Sequence, residues 1–350
     1  MESTQVRPAV YHYRLEFFDD RRRPVREVAL GRADFGRAVA AAFFAALRRG
    51  VFDSYTPPGD RARIEPRFRD EERGSPRASG FDVVLPTPDG AEYRMEFAST
   101  FFTNRALHLG AELVREGRLP ENGRLLFQLT AYLDEAEESP RRGMRIALDE
   151  ASVDIPIRQA SRRALGLAEA WDAPRPDDFP VVVPRHVLHE AMEEANAAPD
   201  REVGGTLLGH LYRDTDTGDL FLHVTCLVPA EQTEATTTSV TFTPATWARV
   251  REVQELRGEG EIFAGWFHSH PFRFCAECPL PVPPDCVRKV LFYSADDEFL
   301  MELSFAQPFM VGLLAGVEPK LERALGHLPV RLFGWRDGTI QPRGFEVIDP

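Results

Sequence analysis

The stretch Ile262-Phe263-Ala264-Gly265-Trp266-Phe267 is apolar at every position and then turns into His268-Ser269-His270-Pro271. Side chains of a strand alternate between its two faces, so a strand that is apolar throughout must be covered on both. Such a strand is expected at the centre of a sheet that is covered on both faces. Phe309 to Gly316 reads as a second strand of the same kind. Around these two, Val181 to Val183 reads as a short strand, and Pro184 to Ala197 as a helix with proline in its first turn. Glu202 to His210 leads into the apolar strand Leu220 to Val228. Thr243 to Glu255 reads as a helix with Thr243 as its N-cap, and Val330 to Phe333 and Phe345 to Ile348 as strands around a turn at Asp337-Gly338.

The 350 residues suggest two domains. In the first, Tyr11 to Phe18 has strand character, and Asp34 to Arg49 a helix capped by Asp34 and closed by Gly50. Charged residues, proline and glycine make Tyr55 to Ser79 a long loop. Phe81 to Leu85 and Ala91 to Phe97 form a hairpin, followed by a helix over Thr103 to Glu116 and a strand over Arg124 to Tyr132. This is an α+β domain without a visible chemical motif, best suited to interaction or substrate presentation. Ala160 to Trp171 is helix-like, and the Pro- and Asp-rich segment Ala173 to Phe179 reads as a linker. The boundary is therefore expected between 172 and 173, giving domains 1–172 and 173–350.

A net charge of -13 removes the electrostatic footprint of a nucleic-acid binder. No stretch approaches the roughly 20 apolar residues of a membrane span, and Met1 to Tyr13 lacks the apolar core of a signal peptide. A soluble cytoplasmic protein is expected, with no nucleic acid or membrane as partner. Four cysteines occur, and in a reducing compartment a structural disulfide is disfavoured. Cys275, Cys278 and Cys286 fall within twelve positions, which suits either a metal or a locally buried cluster, while Cys226 suits a small core position.

The chemistry concentrates at the end of the apolar strand. His268 and His270 share a face, roughly 6.6 Å apart along the strand. Two imidazoles so placed can converge on one metal, although a polar strand end would look the same. A third protein ligand would leave the fourth position of a tetrahedral zinc open for water. Downstream, Ser294-Ala295-Asp296-Asp297 offers a hydroxyl and a carboxylate three positions apart. Upstream, Glu202-Val203-Gly204-Gly205 offers an acid beside glycines. An acid held against an activated water can take its proton and pass it to a leaving amine.

Taken together, these segments resemble the JAB/MPN (JAMM) metalloprotease family, whose pattern is an early Glu, then His-Ser/Thr-His-Pro, then Ser-x-x-Asp. The resemblance spans roughly Pro180 to Ile348. It implies the cytidine-deaminase-like α/β fold of MPN domains, a mixed sheet flanked by helices. It further implies a Zn2+ held by His268, His270 and Asp297, with Glu202 as general acid/base and Ser294 helping to hold the oxyanion. Cleavage of a peptide or isopeptide bond after the C-terminal glycine of a ubiquitin-like protein would follow, in deconjugation or precursor processing. E1- and E2-like proteins would be partners. Arg-, Ala-, Gly- and Pro-rich composition points to a GC-rich bacterial genome, where trimming of a sulfur-carrier precursor is the alternative enzymatic reading. A non-catalytic MPN scaffold is the alternative of another class. One departure from the pattern is clear. Ser-x-x-Asp usually follows the second histidine after seven residues, whereas 23 residues, Pro271 to Tyr293, intervene here. Some members carry an insertion at this point that grips the substrate's tail, sometimes with a second zinc, for which Cys275, Cys278 and Cys286 are the candidates.

Overall fold

The computed structural model describes residues 11–56, 61–68, 76–133, 155–230, 242–271 and 283–349. The chain forms two compact units, one of residues 1–46 and 56–153, the other of residues 47–55 and 154–350.

The first unit is α+β. Its elements are β1 (Tyr11–Phe18), β2 (Pro24–Leu30), α1 (Gly36–Arg48), β3 (Arg63–Phe68), β4 (Arg77–Pro86), β5 (Glu92–Ala98), α2 (Thr103–Arg115) and β6 (Leu126–Leu133). The strands make an antiparallel sheet in the order β2-β1-β6-β4-β3, with β5 also paired to β4. Its core is aromatic: Phe81 packs at 5.0 Å from Phe35 and 5.3 Å from Phe97, with Phe101 and Phe102 beside them. Two segments differ from what their sequence suggests. The helix begins with a 3-10 turn, Arg32–Phe35, and Asp34 caps it from inside by accepting from the Gly31 N–H at 2.7 Å. The expected loop at 55–79 contains β3 and the start of β4. Charge hid β3: it is an edge strand, where proline and ion pairs are tolerated. Arg63 pairs with Glu65 and Glu92, and Arg67 with Glu96, so cross-strand charges replace the apolar alternation that marks a strand.

The second unit contains β7 (Ile157–Ala160), β8 (Leu167–Trp171), β9 (Val181–Pro184), α3 (Arg185–Ala197), β10 (Gly204–Asp214), β11 (Leu220–Pro229), α4 (Pro244–Arg257), β12 (Ile262–His270), α5 (Pro284–Val290), α6 (Ala295–Ser304), β13 (Val311–Gly316), α7 (Pro319–Leu325), β14 (Val330–Arg336), β15 (Thr339–Arg343) and β16 (Phe345–Ile348). They build a mixed ten-stranded sheet in the order β15-β14-β13-β12-β10-β11-β9-β16-β8, with β7 alongside β10. β12 pairs antiparallel with β10 and parallel with β13, so both its edges are occupied. Helices cover its side chains: Trp266 packs with Met301 of α6 and Trp247 of α4, and α3 packs on β9, β11, β12 and β13. Thr243 caps α4 as its sequence indicates, accepting from the Thr246 N–H.

The segment expected as a helix, 160–171, forms the end of β7, a 3-10 turn and β8 instead. Its strands are recruited by partners far away in sequence, β10 for β7 and β16 for β8. The division between units accordingly falls before Asp154, not at 172/173. The Asp337-Gly338 turn joins β14 to β15, and β16 lies on the other side of the sheet, parallel to β9. No helix among the described residues is long and apolar enough to cross a membrane.

Gly265 makes the close approach of β12 to β13 feasible. It has φ +150°, and a Cβ there would lie 1.8 Å from the Val311 carbonyl oxygen. Because backbone cannot yield as a flexible side chain can, Gly265→Ala is expected to destabilise the protein by more than about 2 kcal/mol in chemical denaturation. A loss under about 0.5 kcal/mol would show that the two strands can separate locally without cost.

Candidate metal centre

The centre forms where the C-terminal end of β12 meets the first turn of α6 and the segment leading into β10. The β12 register places His268 opposite Gly204, and His268 and His270 project on one face with ring centroids 5.0 Å apart. Both histidines are fully buried, and Glu202 and Asp297 are buried with them.

Each donor is aimed by a specific neighbour. The His270 Nδ1 lies 2.9 Å from the Val290 carbonyl oxygen. A carbonyl only accepts, so Nδ1 carries the proton and Nε2 presents its lone pair, the arrangement typical of a metal-ligating histidine. The His268 ring is held by stacking instead, 4.3 Å from Trp266 with an interplanar angle of 8°, and Phe305 stacks on the same indole at 5.9 Å. Asp297 is fixed by a reciprocal cap. Ser294 Oγ accepts from the Asp297 N–H at 3.1 Å, and Asp297 Oδ2 accepts from the Ser294 N–H at 2.7 Å. The Ser-x-x-Asp spacing is therefore a capping box whose carboxylate has a second task. Asp296, one residue earlier in the same turn, is exposed.

His268 Nε2 lies 3.2 Å from Asp297 Oδ1, and His270 Nε2 lies 3.6 Å from Asp297 Oδ2. One donor atom from each of the three residues can be chosen so that all lie within 4.8 Å of one another, the one such group among the described residues. Two donors around one tetrahedral zinc stand roughly 3.3 Å apart, given bonds of roughly 2.0–2.2 Å. Neither ring nitrogen of His268 makes a geometrically well-formed hydrogen bond among the described residues, and Asp297 Oδ1 is the carboxylate oxygen beside Nε2. Burial pushes the His268 pKa down and keeps the imidazole neutral. Burial alone would raise the Asp297 pKa, but the imidazoles of His268 and His270 and the Ser294 N–H outweigh it and hold the carboxyl far below its usual range. An ionised buried carboxylate beside an unpartnered neutral imidazole is a donor set that fits a divalent cation.

Glu202 stands at the rim of this group, with Oε1 3.9 Å from His270 Nε2. Burial pushes its pKa up to about 7; the Asp297 charge adds to the rise and His270 opposes it. The remaining candidates sit elsewhere. Cys275 and Cys278 lie outside the described residues, and Cys286 is a half-buried free thiol on α5. Cys226 packs beside Leu208, Val228 and Val250, and burial pushes its thiol up, as expected of a core residue. The Val290 carbonyl, Trp266 and Phe292, whose ring centroid is 5.2 Å from that of His270, complete the surroundings. Of these only Trp266 had a signal in the sequence, its place two residues before His268 on the same strand face.

Residues 180–278 match the family model described as JAB1/Mov34/MPN/PAD-1 ubiquitin protease. The matched segment lies within the second unit. The matched segment includes Glu202, His268 and His270 and ends before Ser294 and Asp297, so the intervening insertion begins inside it. No curated protein matches the chain. Among solved structures, the chain is similar to protein DSY2949 from Desulfitobacterium hafniense, determined in solution. The two are 22% identical, with a TM-score of 0.30, and the match covers 49% of this chain and 92% of that one.

Two measurements probe the candidate centre. Free zinc at about 1,000 times its dissociation constant should stabilise the protein by about 4 kcal/mol, and His268→Ala should abolish that gain in thermal denaturation. A zinc-dependent shift of equal size in His268→Ala would place the metal elsewhere. Ser294→Ala should cost about 1 kcal/mol by removing the cap of α6 and weaken zinc binding about 10-fold by loosening Asp297. Unaltered zinc affinity would separate the cap from the ligand.

Proposed function

We propose that the JAB/MPN domain is a zinc-dependent peptidase or isopeptidase that cleaves after the C-terminal glycine of a ubiquitin-like protein. The observation that carries this reading is Glu202, a buried acid at the edge of the His268, His270 and Asp297 group with its pKa near neutrality. A carboxyl so poised can take a proton from water and return it to a leaving amine at physiological pH. His268, His270 and Asp297 would hold the zinc, which when bound would supply Lewis-acid polarisation of the scissile carbonyl and lower the pKa of water.

The chain's own residues do the rest. Val290 keeps His270 in the tautomer that presents Nε2 inward. Trp266 fixes the plane of the His268 ring. The capping bond uses Ser294 Oγ as an acceptor, which leaves its O–H to donate to a developing oxyanion. A scaffold role would require none of these groups, and their joint presence supports catalysis. The family description supports a ubiquitin-like substrate, and removal of a sulfur-carrier extension would use the same chemistry. In this reading the first unit presents substrate or engages E1- or E2-like partners in a bacterial cytoplasm.

The test compares Glu202→Gln with the wild type on a ubiquitin-like protein bearing a C-terminal amide or isopeptide extension. Hydrolysis should fall about 100- to 10,000-fold with zinc content unchanged. Near wild-type turnover in Glu202→Gln would remove Glu202 from the chemistry, and an inert zinc-loaded wild type would favour the scaffold.

A further inference from the structure

Ser269 stands between the two histidines, and strand alternation points its side chain to the face opposite theirs. It is completely buried. Its Oγ accepts a hydrogen bond from the Val203 N–H at 3.0 Å, and its own N–H donates to the Val203 carbonyl at 2.9 Å. Both backbone polar groups of Val203 are therefore tied to one residue of β12. β10 starts only at Gly204, so Val203 precedes the assigned strand.

Glu202 is the next residue. Its carboxylate forms no hydrogen bond among the described residues; its nearest ionisable neighbour is the His270 ring at 3.9 Å. Its place beside the metal group is thus set through the backbone, and the last fixed point of that backbone is the Ser269–Val203 pair. The same strand segment orients the histidines on one face and anchors the acid's attachment from the other. Removing the Ser269 hydroxyl would strand the Val203 N–H without an acceptor, a penalty the segment relieves by shifting, and Glu202 with it.

We infer that Ser269 is a positioning residue that sets the placement of Glu202 through the Val203 backbone. This rests on the proposed role of Glu202 in proton transfer. The hydroxyl touches neither metal nor substrate; it acts on where the proton-transferring oxygen stands. A displacement of about 1 Å at a reacting group costs up to about 100-fold in rate.

The experiment uses the full-length, zinc-loaded protein and three readouts: steady-state kinetics, zinc content, and hydrogen exchange at the Val203 amide. Ser269→Ala should lower kcat roughly 10- to 100-fold, leave KM and zinc content unchanged, and quicken exchange at Val203. Ser269→Thr, which keeps the hydroxyl, should recover most of kcat and of the protection. Retention of wild-type kcat by Ser269→Ala would overturn the inference. Equal impairment of Ser269→Ala and Ser269→Thr would overturn it too, since that is a packing effect. If Ser269→Ala does not fold, Ser269→Val against Ser269→Thr makes the same comparison at constant shape. If the zinc-loaded wild type hydrolyses nothing, the proposed function fails by itself. Val203 exchange then decides the inference, and unchanged protection in Ser269→Ala overturns it.

Discussion

Asp297 brings a negative charge into a site that water scarcely reaches, and the geometry of the centre follows from how that charge is accommodated. Its two oxygens face different partners. Oδ1 lies against His268, while Oδ2 accepts the Ser294 N–H and faces His270. The capping box couples the first turn of α6 to the placement of the carboxylate, since the same Asp297 side chain caps the turn and faces β12. Against the neutral His268 imidazole this leaves negative charge in a buried place, an expensive state unless a cation joins it.

The rest of the second unit holds the two sides of this contact still. β12 is hydrogen-bonded on both edges, and its Gly265 brings β13 closer than any side chain would allow. Trp266 links the strand to the helix side, since its indole stacks on His268 and packs with Met301 of α6. α5 supplies the Val290 carbonyl that orients His270. The insertion between His270 and Ser294 thus returns to the centre through a backbone group, which explains how so long a detour leaves the motif's second half in register. Glu202, desolvated by the same surroundings, acquires a near-neutral pKa as a by-product of its neighbours' burial.

What the sequence made legible was local. The unbroken apolar run of β12, the His-x-His alternation, the cap at Thr243 and the Ser-x-x-Asp pair each state their geometry within a few residues. Assembly of Glu202, His268, His270 and Asp297 was readable only through resemblance, because nothing local indicates that a loop, a strand end and a helix start converge. The misreadings share a cause. Segment 160–171 looked helical and became strands because β10 and β16 supply the pairing. β3 and β15 lacked apolar alternation and are held by neighbours. The Val290 carbonyl and the Ser269 hydroxyl were equally invisible, since one is a backbone atom and the other a small polar side chain inside a motif.

In the reading proposed above, two imidazoles and one carboxylate, and no thiolate, hold a single zinc. X-ray absorption at the zinc edge of the purified protein reads that shell directly. Nitrogen and oxygen scatterers only are expected, at roughly 2.0–2.2 Å, in a pattern that disappears in His268→Ala. Sulfur scatterers at roughly 2.3 Å in a protein carrying one zinc would put the metal on the cysteines and contradict it.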